Sequence, residues 1–134
     1  MATSRALRRA YDDALQETGL NQSEASVLAL LAEEGSLSQT AVAHRIGMRR
    51  AAAGTIVEKL EGLGLVRRSP DPTDGRIRLL SLTDKSRPFV RRILQIDTVL
   101  RQQLRSGISR DERKSLAMTL EQIRANLAKL DARL

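Results

Sequence analysis

The sequence predicts a mainly α-helical chain carrying one small β-hairpin. Three observations lead there. Hydrophobic residues make up 41% of the 134 residues, yet there is one Phe, one Tyr and no Trp. That aliphatic palette suits helix packing better than a β-sandwich. Apolar residues recur at steps of three and four along most of the chain. The turn-forming run Pro70-Asp71-Pro72-Thr73-Asp74-Gly75 separates two short segments of strand character.

Residues 4–18 read as a first helix, with Leu7, Tyr11, Ala14 and Leu15 on one stripe, and Gly19 stops it. Asn21 opens a second helix, and Glu24 completes a capping box. Val27, Leu28, Leu30 and Leu31 form its buried stripe, and Gly35 ends it. Leu37, flanked by Ser36 and Ser38, reads as a short extended link. Ser38 caps a third helix carrying Ala41, Val42 and Ile46, and Gly47 supplies a turn. A fourth helix runs from about Arg49 to Leu63, with Ile56, Val57, Leu60 and Leu63 inward, and Gly64 breaks it. Helix, glycine turn and helix over 38–63 form a helix-turn-helix layout.

Residues 65–69 and 76–82 read as the two strands of the hairpin. Arg76 and Arg78 alternate with Ile77 and Leu79, which places both arginines on one face. A basic hairpin directly after a helix-turn-helix is a wing. Thr83 or Asp84 then caps a long helix to about Ser106, striped by Phe89, Ile93, Ile96, Leu100 and Leu104. Gly107 breaks it, and Ser109 with Glu112 makes a second capping box. The last helix spaces Leu116, Leu120, Ile123, Leu127, Leu130 and Leu134 at alternating steps of four and three, a 3.5-residue repeat. An ordinary core-facing helix would also carry such a stripe. These helices lie too far in sequence from the helix-turn-helix to be explained by its small core, so a partner helix, and hence a dimer, is expected. With no repeat, low-complexity tract or linker, the chain reads as one unit, 1–134.

Charge is distributed unevenly. Between Arg45 and Arg92 there are 12 Lys and Arg against 5 Asp and Glu, an excess equal to the whole chain's net +7. A balanced body carrying one basic block is the footprint of a polyanion binder. Scarce aromatics argue against stacking platforms for single-stranded nucleic acid. The absence of Cys excludes disulfides, thiolate catalysis and Cys-ligated metal, and the single His44 cannot build a multi-His site. No cofactor is expected. No Ser/His/Asp constellation or phosphate loop suggests an enzyme. No apolar run approaches the roughly 20 residues of a membrane span, and the first residues lack the apolar core of a signal peptide. A cytoplasmic location is the default expectation.

Three segments together resemble the MarR family of bacterial transcriptional regulators: LNQSEASVLALLAEEG before the motif, LSQTAVAHRIG in the third helix, and IVEKLEGLGLVRRSPDPTDGRIRLLSLTDKS through the wing. The last is the most specific, with its L-E-x-x-G-L-V helix exit, D-P-x-D-x-R wing and terminal L-T. The resemblance implies a winged helix-turn-helix over 20–83 and dimerisation helices over 1–18 and 84–134. It implies two winged helices reading a pseudo-palindromic double-stranded DNA. It also implies repression in most cases, often relieved by small phenolic or other amphipathic effectors. The expected dimer contacts are Leu7, Tyr11, Leu116, Leu120, Ile123, Leu127 and Leu130.

The expected DNA-facing set is Ser38, Gln39, Thr40, Arg49, Arg50, Ala51, Ala52, Thr55, Lys59, Asp74, Arg76 and Arg78. Ser38, Gln39 and Thr40 begin the third helix, a phosphate-binding terminus without sequence information. Arg49 and Arg50 reach phosphates or a guanine edge. Residues 51–54, Ala-Ala-Ala-Gly, stand where the family usually shows small polar residues, and Thr55 stands where an Arg is common. Gly54 serves either close backbone approach to the groove or a tight helix–helix contact. Arg76 is placed to enter the minor groove. Asp74 either holds that guanidinium or shapes its own turn. Gly75 replaces a second family Arg, for which Arg78 is the substitute. Arg67 and Arg68 contact phosphate or nothing, and His44 lies on the surface. The alternative function is a nonspecific duplex binder or protein-interaction module, supported only by the alanines.

Overall fold

Side-chain caps set where three of the six α-helices begin in the computed structural model, which describes residues 2–133. α1 (Ala2–Leu15) yields to a single 3-10 turn, Gln16–Thr18, so the regular helix stops short of the expected residue 18. The Thr18 hydroxyl donates to the Leu15 carbonyl at 2.6 Å and ties off the helix end. α2 (Gln22–Glu34) starts with the predicted capping box between Asn21 and Glu24. α3 (Gln39–Ile46) is capped by the Ser38 hydroxyl, which accepts from the Ala41 N–H at 3.1 Å. Gly47, at φ +69°, makes the left-handed turn between α3 and α4 (Arg50–Gly62).

The sheet differs from the expected hairpin. Leu37–Ser38 is a strand, β1, and pairs antiparallel with β3 (Arg78–Leu82), which also pairs with β2 (Val66–Pro70). Leu37 faces Leu80 on one side, and Arg68 faces Leu80 on the other. The link before α3 is thereby sewn to the wing. β3 also starts later than expected. Arg76 and Ile77 lie in the connecting loop, so strand alternation does not align Arg76 with Arg78.

Leu15, Leu28, Leu31, Val42, Val57, Leu60, Leu65 and Leu80 are fully buried and form the core of the unit that runs to Val99. Burying each such side chain contributes roughly 1.5–3 kcal/mol. Leu63 was expected inward, but it closes α4 and is exposed. Gly64 follows at φ +73° and turns the chain into β2. Thr83 was one of two residues, with Asp84, expected to cap the long helix. Its hydroxyl instead donates to the Gly64 carbonyl at 2.6 Å, and Lys85 donates to the Leu63 carbonyl at 2.8 Å. The G-L-V and L-T ends of the most specific sequence segment are therefore bonded to each other. A 3-10 turn, Asp84–Ser86, leads into α5 (Arg87–Leu104), where Ile93 and Ile96 are buried.

The second unit, from Leu100, contains the end of α5, the Gly107 turn and α6 (Arg110–Asp131). Ser109 and Glu112 form the predicted capping box. Leu116, Leu120, Ile123, Leu127 and Leu130 remain 48–57% exposed. Leu134, the last position of the predicted repeat, lies outside the described residues.

Candidate nucleic-acid interface

α4 buries Ala53, Val57 and Leu60 against the core. At 100° per residue, the opposite line of the helix passes through Ala51, Thr55, Glu58 and Gly62. Ala51, Ala52, Thr55 and Glu58 are exposed, and Arg49 and Arg50 stand exposed at the helix start. The alanine run is thus split: Ala51 and Ala52 face outward, whereas Ala53 is core. The Thr55 hydroxyl is engaged by the Ala51 carbonyl at 3.3 Å. Glu58 was not anticipated on this face. Its spacing, three residues from Thr55 and seven from Ala51, carried the signal.

α3 supplies the neighbouring edge. The Ser38 hydroxyl is occupied as a cap, and Thr40 is exposed. Gln39 is half-buried, with its carboxamide over Gly54: a Cβ built at residue 54 would stand 3.0 Å from Nε2. Of the two uses considered for Gly54, the structure displays the helix–helix one. Lys59 does not point along this face. Its ammonium lies 2.6 Å from the Glu24 carboxylate on α2, although half of the side chain is exposed.

The wing tip is shaped by its own acids. Asp71 accepts from the Thr73 N–H at 2.8 Å and the Thr73 hydroxyl at 2.7 Å. These bonds, the hydroxyl's above all, hold its carboxyl below the ordinary carboxylate range. Asp74 accepts from the backbone N–H of Arg76 at 3.1 Å, not from its guanidinium. Of its two expected roles, turn-forming is the one present. The loop closes through Asp71 N–H to the Ile77 carbonyl at 2.8 Å. Arg76 and Arg78 project exposed from this frame.

Folding sorts the basic block into two sets. Arg45, Lys59, Arg68, Arg87 and Arg92 each meet a carboxylate, respectively Glu34, Glu24, Glu61, Asp84 and Glu17. Among the described residues, Arg49, Arg50, Arg67, Arg76, Arg78, Lys85 and Arg91 enter no ion pair. Five of these seven lie at the start of α4 or on the wing, while Lys85 bonds the Leu63 carbonyl and Arg91 lies on α5. Arg67 lies at the wing base, 3.4 Å from the Ser81 hydroxyl.

Of the expected dimer contacts, Leu7 and the α6 stripe are exposed. Tyr11 is engaged within its own chain, its hydroxyl donating to Asp97 of α5 at 2.9 Å. Among the described residues no group of His, Cys, Asp or Glu could hold a metal, and no helix is long and apolar enough to cross a membrane.

A helix-turn-helix joined to a basic wing defines a winged helix-turn-helix protein. The family model described as MarR family matches residues 20–77. The uncharacterized HTH-type transcriptional regulator YkoM of Bacillus subtilis (strain 168) is 30% identical over 106 residues, 79% of this chain and 69% of that protein. The solved structure of transcriptional regulator PA3341 is 32% identical with a TM-score of 0.85, covering 96% of this chain and 94% of the other. CouR from Rhodococcus jostii RHA1, solved bound to p-coumaroyl-CoA, is 28% identical with a TM-score of 0.83, covering 91% and 86%. The chain belongs to the MarR family and is a DNA-binding transcriptional regulator.

Proposed function

We propose that the protein is a homodimeric repressor that reads a pseudo-palindromic operator through two winged helices and is released by a small amphipathic effector. The observation that carries the DNA reading is the charge sorting: in-chain carboxylates pair with five of the block's twelve cations, and five of the seven left, Arg49, Arg50, Arg67, Arg76 and Arg78, lie at the start of α4 or on the wing. Arg49, Arg50, Ala51, Ala52 and Thr55 meet the major groove, Arg76 and Arg78 the minor groove, and Ser38 and Thr40 the phosphates between them. The exposed stripe from Leu116 to Leu130 supports pairing with a second copy, since so long an apolar strip is unfavourable in water. The effector part is supported by the likeness to CouR, which was solved with p-coumaroyl-CoA.

Footprinting on genomic fragments tests the reading. A discrete protected site with two halves about one helical turn apart is expected. Uniform coating would assign the protein to nonspecific duplex binding instead.

A further inference from the structure

We propose that Gln39 reads a base edge. Its carboxamide, seated in the notch that Gly54 opens in α4, supplies the hydrogen-bonding edge that the outward alanines lack. The inference rests on α4 being the groove helix. Gln39 is the first residue of α3, and its side chain lies across α4 at Gly54. A Cβ at that position would stand 3.0 Å from Nε2 and 4.0 Å from Cδ. The amide can rest there because residue 54 has no side chain. No buried side-chain polar atom among the described residues lacks a partner. Among the described residues no hydrogen bond engages the half-buried Gln39 amide, so its donor and acceptor are neither satisfied within the chain nor shut away from water.

The seat is well placed for base reading. Gly54 lies between Ala51, three residues before it, and Glu58, four residues after it, at the edge of the outward strip. Ala51 and Ala52 can touch only thymine methyls. A glutamine amide pairs with adenine N6 and N7 through two hydrogen bonds. Its seat on α4 limits the rotamer freedom that binding would otherwise remove. Glu58 on the same strip repels phosphate and favours an exocyclic amino group, which directs this edge of α4 toward bases.

The test uses the tightest duplex that the wild-type protein selects from a randomised pool, with a scrambled duplex at the same salt as control. Gln39→Met keeps the length of the side chain and removes both amide groups. It should weaken the selected duplex at least tenfold and the scrambled one less than twofold. Replacing single adenines by 7-deaza-adenine should weaken wild-type binding at one symmetry-related position, and Gln39→Met should be insensitive there. Gly54→Ala, which presses the amide off its seat, should lower discrimination while raising the melting temperature. If Gln39→Met does not fold, Gln39→Leu, which also removes both amide groups without adding charge, provides the same comparison. Equal weakening of both duplexes, or identical deaza profiles for wild type and variant, makes Gln39 a phosphate contact and overturns the proposal alone. A pool that yields no preferred duplex overturns the operator reading itself and this inference with it.

Discussion

Lys59 of α4 reaches back to a carboxylate that is almost wholly buried: its Nζ lies 2.6 Å from Oε1 of Glu24 on α2, and Glu24 is 4% exposed. The same carboxylate accepts from the Asn21 backbone N–H at 3.0 Å and from the Asn21 amide at 3.2 Å. One buried acid therefore closes the α2 cap and fixes α4 against α2.

Removing the cation should leave that carboxylate short of a donor. Lys59→Met is expected to lose about 1–3 kcal/mol in urea denaturation. Its affinity for operator DNA at fixed salt should change less than twofold. A large affinity loss without a stability loss would keep Lys59 in the DNA-facing set.

Wing and strand arginines should separate by kind of contact. Arg76→Ala should weaken operator binding by about 1–3 kcal/mol and weaken scrambled DNA less. Arg67→Ala should weaken both alike. Asp74→Ala should act like a milder Arg76→Ala, because it loosens the turn that positions residue 76 and leaves the guanidinium untouched. Equilibrium titration of each variant against both duplexes at one salt concentration measures these effects.

Salt dependence should count the arginines that reach phosphate. Two copies of Arg49, Arg50, Arg67, Arg76 and Arg78 make about ten phosphate-neutralising charges, so log K should fall with log salt at a slope of roughly −9. Affinity then drops on the order of 10⁵-fold between 50 and 200 mM. Arg68→Ala, which removes a cation already paired with Glu61, should leave the slope nearly unchanged.

Leu120 and Leu127 are 50% and 54% exposed within one chain. Changing both to Asp should therefore dissociate the dimer while the winged helix-turn-helix stays folded, because the charges appear only on the α6 surface. Sedimentation should report one chain for the variant and two for wild type, with near-equal melting of the N-terminal unit. A wild-type mass of one chain would remove the dimer reading.

The wing tip should hold its shape into mild acid. The carboxyl of Asp71 is lowered when folded, so its bonds to Thr73 are fully present above the unfolded value and are lost only as pH falls through the lowered one. The Thr73 amide resonance should thus stay constant from pH 7 to about 4 and move below that. In Asp71→Asn the transition should vanish.

Local hydrogen-bond chemistry was legible in the sequence. Asn21 with Glu24, Ser38 with Ala41 and Ser109 with Glu112 all lie three residues apart, so the chain needs no tertiary fold to meet its cap. The wing was equally plain, because Pro70 to Gly75 leaves few conformations open. The heptad stripe of α6 could be read as a period, and it stays exposed within one chain.

Tertiary structure decided whatever joins distant residues. Leu37–Ser38 is too short to carry a strand period, and only β3 beside it makes it a strand. Tyr11 meets Asp97, 86 residues away, an internal tie that no local pattern announces. Which cations stay free depends on where Glu24, Glu34 and Glu61 arrive in space. Sequence by itself determined the helices, their caps and the basic wing, because those follow from contacts within a few residues. Only the folded chain decided which charges cancel and which side chains share the outward strip of α4, because a charge or an amide is spoken for only when a distant partner is brought within a few ångströms.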